Sequence, residues 1–170
     1  TTSIVGAISD YAKKDPTIVN GGIINAYSKN NRLGFGKWMI VEADESDGSF
    51  LKLPHQISII TNLDIEHLDY YKSLENLNLA FEQFVKNLPF YGISIINEDD
   101  QNLKKLVLKN DTRKIITYSY KNNKASVYIK DVILLKNYSQ FKLQFNTTIN
   151  KLPRSGSYSY KINAIGLHNI

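Results

Sequence analysis

Two short apolar runs that each stop abruptly in ionisable residues constrain this chain most. Trp38-Met39-Ile40-Val41 runs straight into Glu42-Ala43-Asp44-Glu45-Ser46-Asp47-Gly48, and Ile57-Ser58-Ile59-Ile60-Thr61 into Asn62, Asp64, Glu66, His67 and Asp69. Both runs are apolar on both faces, which predicts buried strands. Helical spacing follows over 73–88, with Leu74, Leu77, Phe81, Phe84, Val85 and Leu88 on one face, Ser73 as the cap and Pro89 as the stop. Ile93 to Ile96, a helix near Gln101 to Lys109, and Lys114 to Tyr118 repeat the alternation. The expected fold is α/β, a mainly parallel sheet flanked by helices.

Upstream, residues 3 to 13 carry a helical pattern, so the chain opens already inside a helix. Thr17-Ile18-Val19 predicts a short strand ended by Asn20-Gly21-Gly22, and 30–36 a loop. Beyond Tyr120, Ala125 to Lys130, Val132 to Leu135 and Phe141 to Phe145 alternate without helices between them, which predicts a small antiparallel annex within 121–160. Residues 147–161, with Pro153 and Gly156, read as an exposed connection. Both ends, at Thr1 and at Gly166-Leu167-His168-Asn169-Ile170, are expected to be cut.

Composition narrows the partners. The 42% hydrophobic and 22% charged residues are ordinary for one soluble domain or most of one. A net charge of +5 is scattered through loops such as Lys29 to Arg32 and Lys121 to Lys124, and a nucleic-acid surface needs its charge gathered on one face. No nucleic-acid partner is expected. The apolar runs are too short for a bilayer span of roughly 20 residues, so no membrane partner is expected either. There is no cysteine, which removes disulfides, thiolate metal sites and a thiol nucleophile and fits a reducing compartment; we expect a cytoplasmic protein.

Ligands of open parallel sheets bind outside the carboxyl ends of the strands. That rule selects Glu42, Asp44, Glu45 and Asp47 after one run and Asp64, Glu66, His67 and Asp69 after the next. If the two strands are neighbours, these groups converge on one rim, where a divalent cation would relieve carboxylate repulsion. Mg²⁺ suits such oxygen donors. His67 does not fit Mg²⁺ on chemistry alone and reads as a general base or as a ligand for a softer ion such as Mn²⁺ or Zn²⁺. A plain hydrophilic loop is the alternative for both acidic runs. Trp38, Phe81, Phe84 and Phe90 are expected in the core rather than stacked on a base, and His55 is expected to be a loop residue.

Three ordered motifs resemble the Mur ligase family: Glu42 to Phe50, Thr61 to Asp69, and Asn87-Leu88-Pro89-Phe90-Tyr91-Gly92. The spacing of Glu42 and His67 also suits that family, and the likeness runs from Thr1 through Tyr118 and again over 166–169. The resemblance implies part of the central, ATP-binding domain of an ADP-forming amide ligase of peptidoglycan synthesis. By wording it is most similar to the branch that joins L-alanine to UDP-N-acetylmuramate through an acyl phosphate. It assigns Glu42 to one Mg²⁺ at the ATP phosphates and His67 to a second near the acceptor carboxylate, with Mn²⁺ as a possible substitute. It puts Gly22, Asn25, Asp44 and Ser46 on the muramoyl side and His168 and Asn169 beside the adenine, although Ile165 stands where the family usually has Pro. The family's phosphate-binding loop would precede Thr1, so the chain as it stands is not expected to use ATP alone. The stretch Ala80 to Phe84, where related ligases carry a carbamated lysine, offers no lysine, and this is compatible with the alanine-adding branch. A tripeptide-recycling ligase and a metal- or phosphate-binding module without ligase activity are the competing readings. Oligomeric state is left open.

Overall fold

The computed structural model describes residues 1–24, 28–109, 114–146, 156–163 and 166–167, which fall into two compact units, Thr1–Asp44 and Glu45–Ile170. In the first unit the early helical pattern forms α1 (Thr2–Tyr11). The strand expected at Thr17 continues through the two glycines to form β1 (Thr17–Ile24). It is paired on both sides, antiparallel to β2 (Lys29–Arg32) and parallel to β3 (Met39–Val41), and the two glycines lie where the register with β2 shifts between Val19 and Ile24. The expected loop at Asn30 thus contains a polar strand that the apolar pattern could not reveal.

Close packing and a shared cation hold this unit together. Gly6 of α1 faces the buried Ile18 of β1 so closely that a Cβ would stand 2.8 Å from Ile18 Cδ1. Arg32 bridges the Asp10 and Asp15 carboxylates, at 2.6 Å to Asp15 Oδ1, and so ties β2 to the end of α1 and the turn after it. The expectation of a strand buried on both faces is not met at β3. It is an edge of its sheet, with Met39 exposed and Trp38 47% exposed, and only Ile40 and Val41 half-buried.

The second unit is built on a six-stranded sheet of order β4-β5-β6-β7-β8-β9. β4 (Ile57–Ile60), β5 (Ile93–Asn97), β6 (Ile115–Ser119) and β7 (Val127–Leu134) run parallel, while β8 (Ser139–Phe145) and β9 (Gly156–Ile162) add antiparallel. The expected annex is therefore an extension of the main sheet, and its last strand occupies residues expected to be an exposed connection; 147–155 lie outside the described residues. The two runs around Asp131 are one strand. It kinks where Asp131 takes φ 52° and the register shifts between Lys130 and Ile133.

Helices α2 (Leu68–Tyr71), α3 (Leu74–Lys86) and α4 (Gln101–Lys109) complete the unit, together with a 3-10 turn at Ser49–Lys52. Ser73 caps α3 by accepting the Asn76 N–H at 3.1 Å, a contact that contributes about 1 kcal/mol. Phe50, Leu77, Phe81, Phe84, Val85, Ile60, Ile96 and Leu103 share one core cluster. That core covers one face of the sheet. Ser58 and Ile60 point into it, with Ser58 Oγ donating to its cross-strand partner Ser94 Oγ at 2.8 Å, whereas Ile57 and Ile59 are 46% and 40% exposed. Phe81 and Phe84 pack as expected; Phe90, 92% exposed, does not, because it follows the end of α3 rather than lying on its buried face.

Candidate functional site

The ladder between β1 and β3 extends one residue beyond β3, where Glu42 N–H donates to the Val19 carbonyl at 2.9 Å. With its main chain fixed, the Glu42 carboxylate reaches the glycine pair of β1, and Gly21 N–H donates to Oε2 at 2.7 Å. A hydrogen bond to an ionised acceptor is stronger than a neutral one, so this amide orients an otherwise exposed carboxylate. Gly22 lies beside it in β1, its carbonyl accepting from Asn20 Nδ2 at 2.7 Å. Asp44 is exposed at the end of this unit. Asn25 lies outside the described residues, as do His168 and Asn169.

In the second unit, β4 leads through an irregular rim to His67, which starts α2 in the left-handed conformation, φ 56° and ψ 31°. A side chain in that region signals either a turn or strain held for use. Here the His67 carbonyl accepts the amides of Tyr70 and Tyr71 at 3.0 and 3.1 Å, which closes the first turn of α2. The half-buried imidazole has its Nε2 3.9 Å from both Glu45 Oε1 and Glu66 Oε2. Asp64 accepts from Asn62 Nδ2 at 2.7 Å and, like Glu66 and Asp69, is exposed. Ser46 is half-buried. Asp47 binds the Ser49 amide at 2.9 Å, and the Ser49 side chain and amide together hold its carboxyl below the usual range.

The single rim of eight ionisable groups was expected only if the two strands are neighbours; one pair drawn from the two runs, Glu45 and His67, does lie close, at 3.9 Å. β3 and β4 belong to different sheets, so the strand ends carrying Glu42 and His67 are not hydrogen-bonded neighbours, and the spacing of two runs in sequence could not decide that. Among the described residues no three of His, Asp and Glu gather as a metal cage. An ion such as Mg²⁺ takes one or two protein ligands and completes its shell with water and phosphate. Glu42 supplies the hard oxygen such an ion prefers. His67 supplies a nitrogen with two carboxylates close by.

A third acidic strand end escaped the sequence reading. Glu98-Asp99-Asp100 follows Asn97, the last residue of β5, directly, so the same strand-end rule could have selected it. Asp100 accepts the Leu63 amide at 3.2 Å and the Asn102 and Leu103 amides at 2.8 and 2.9 Å. Asn97 donates to the Thr61 carbonyl at 2.9 Å and Asn102 to the Leu63 carbonyl at 3.1 Å. These residues hold the backbone of the rim that leads to His67. His55, read as a loop residue, is stacked on Phe84 at 4.2 Å with Nδ1 2.9 Å from the Leu53 carbonyl, and its Nε2 is buried without a hydrogen-bond partner.

Residues 34–170 match the Mur ligase middle domain. The chain is 50% identical over 145 residues to the UDP-N-acetylmuramate–L-alanine ligase of Bradyrhizobium diazoefficiens, covering 85% of this chain and 31% of that protein. It is 45% identical over 167 residues to the ligase of the same name from Azorhizobium caulinodans, covering 98% and 34%. The chain therefore spans about a third of the length of the curated relatives it matches. In fold it resembles the UDP-N-acetylmuramate–alanine ligase of Thermotoga maritima, with a TM-score of 0.79 at 22% identity over 99% of this chain and 35% of that one. It also resembles the MurF ligase of Thermotoga maritima in complex with ADP, with a TM-score of 0.69 at 14% identity over 94% of this chain and 37% of that one. The mainly parallel sheet flanked by helices is common ground with these structures, and the chain belongs to the Mur ligase family.

Proposed function

We propose that this chain serves as ATP-binding domain of a ligase that joins L-alanine to UDP-N-acetylmuramate in peptidoglycan precursor synthesis. The observation that supports this most is the identity of 45% and 50% with alanine-adding ligases, shared by a chain that carries Glu42 directly after β3 and His67 at the start of α2. In the reaction the muramoyl carboxylate attacks the γ-phosphorus of ATP, ADP leaves, and an acyl phosphate forms. The amine of L-alanine then attacks the acyl carbon, a proton is lost from nitrogen, and phosphate leaves.

The protein's part is to place charges before the reaction begins. Glu42, oriented by the Gly21 amide, would hold one Mg²⁺ and His67 a second, with Mn²⁺ the better match to the imidazole. When bound, such ions supply positive charge to the transferring phosphoryl group. Gly22, Asn25, Asp44 and Ser46 are assigned to the muramoyl side and His168 and Asn169 to the adenine. An ATP-consuming step on a nucleotide-linked sugar fits a cytoplasmic setting. Among the described residues no helix is long and apolar enough to cross a membrane.

The test is ADP release by the complete ligase bearing this sequence, with and without each substrate. Release should require both UDP-N-acetylmuramate and L-alanine, and Glu42→Ala and His67→Ala should each abolish it while the circular dichroism spectrum is unchanged. Full turnover in both variants would overturn the site. Turnover with a tripeptide in place of L-alanine would overturn the acceptor.

A further inference from the structure

One tyrosine of α2 touches both His67 and the loop that faces it. Tyr71 is buried in the core cluster, its ring in edge contact with Tyr70 at 4.9 Å. Its N–H donates to the His67 carbonyl at 3.1 Å, and its hydroxyl donates to the Glu45 carbonyl at 2.5 Å. The same Glu45 carbonyl accepts the Gly48 amide at 3.2 Å, so the turn from Glu45 to Gly48 closes on the tyrosine hydroxyl. Tyr70 leaves that turn no slack. Gly48 sits at φ 71°, and a Cβ there would stand 2.6 Å from the Tyr70 hydroxyl oxygen.

The consequence falls on the imidazole. With its main chain held by Tyr71, Glu45 presents Oε1 3.9 Å from His67 Nε2, the same distance as the more exposed Glu66 Oε2, too far for a hydrogen bond but near enough for its charge to act on the ring. His67 itself takes a left-handed backbone conformation, and its carbonyl closes the first turn of α2 on Tyr70 and Tyr71. Groups that orient a site histidine without touching the reacting atoms commonly govern its use.

We propose that Tyr71 is a positioning residue for His67: its hydroxyl anchors the Glu45 main chain, and the anchored Glu45 carboxylate orients the His67 imidazole. This rests on the reading of His67 as a site residue. Tyr71→Phe is the natural variant because the ring stays in the core and only the hydroxyl is lost.

The experiment uses the complete ligase with ¹³C-labelled histidine, where the His67 ring resonance is identified by its disappearance in His67→Ala. Tyr71→Phe and Glu45→Gln should each shift that resonance and lower kcat roughly tenfold with KM for ATP nearly unchanged. The double variant should lose little more than the worse single one, because both act through one contact. A His67 resonance that stays in place in both variants overturns the proposal, as does an unchanged kcat. Glu45→Gln, a change at a partly exposed side chain, decides the question if Tyr71→Phe fails to fold. Full turnover in His67→Ala would overturn the site reading instead, whatever the ring resonance does in the other variants.

Discussion

β4 and β5 lie side by side in the second unit, and each ends in carboxylates. After β5, Asp100 binds three backbone amides, and Asp99 accepts from the Ser119 hydroxyl at 2.5 Å and the Tyr120 amide at 2.9 Å. Glu98 accepts from Asn122 Nδ2 at 2.7 Å. After β4, Asp64, Glu66 and Asp69 are exposed, and His67 stands 3.9 Å from two carboxylates. The same sequence signature thus has two physical uses. At the β5 end the carboxylates are taken up by backbone amides and side-chain donors and act as structural caps, whereas at the β4 end they stay exposed. The β5 end serves the β4 end, because Asn97, Asp100 and Asn102 grip the backbone at Thr61 and Leu63.

The sharpest break between the two ends should come from His67→Ala in the complete ligase. A kcat lower by roughly a hundredfold or more, with an unchanged thermal midpoint, would mark the β4 end as functional. Asp100→Ala should do the reverse in kind, lowering stability by about 2 kcal/mol in urea unfolding as the α4 cap is lost and the Leu63 amide loses its partner. Unmoved stability in that variant would erase the contrast. Asp64→Asn, in the exposed rim, should change stability by no more than about 0.5 kcal/mol in the same measurement.

The smallest effect is electrostatic. Burial, and secondarily the charge of Asp99, pushes the Tyr118 phenol up to about 12 from 10.0. A raised folded-state value means that its contribution to stability is whole below pH 10.0 and is lost as pH rises toward about 12. Asp99→Asn should therefore lower the Tyr118 midpoint in a phenolate absorbance titration without returning it to 10.0, since burial is the larger cause. A midpoint that does not move would mean that the Asp99 charge does not act on the phenol.

Much of the second unit was legible from residue pattern. α3 was marked by its apolar spacing and its Ser73 cap, α4 matched its expected span, and β5 and β6 agreed with theirs to within a residue. Short-range periodicity carries that information because it reflects which side of an element meets the core. β2 was not legible, since Lys29-Asn30-Asn31-Arg32 is a strand only because β1 is there to pair with it. β9 was missed for the same reason. Gly156 to Ile162 is mostly exposed and polar, and its pairing with β8 is the only thing that makes it a strand.

The sequence by itself determined the alternation of strands and helices, the acidic strand ends, and the three motifs that mark a Mur ligase, all of which are properties of residue type and spacing. Tertiary contacts settle which carboxylates cap backbone and which stay exposed, that β3 and β4 belong to different sheets, and that Tyr71 joins Glu45 to His67. Those outcomes depend on which backbone amides and hydroxyls arrive from distant parts of the chain, and such long-range partners leave no local pattern.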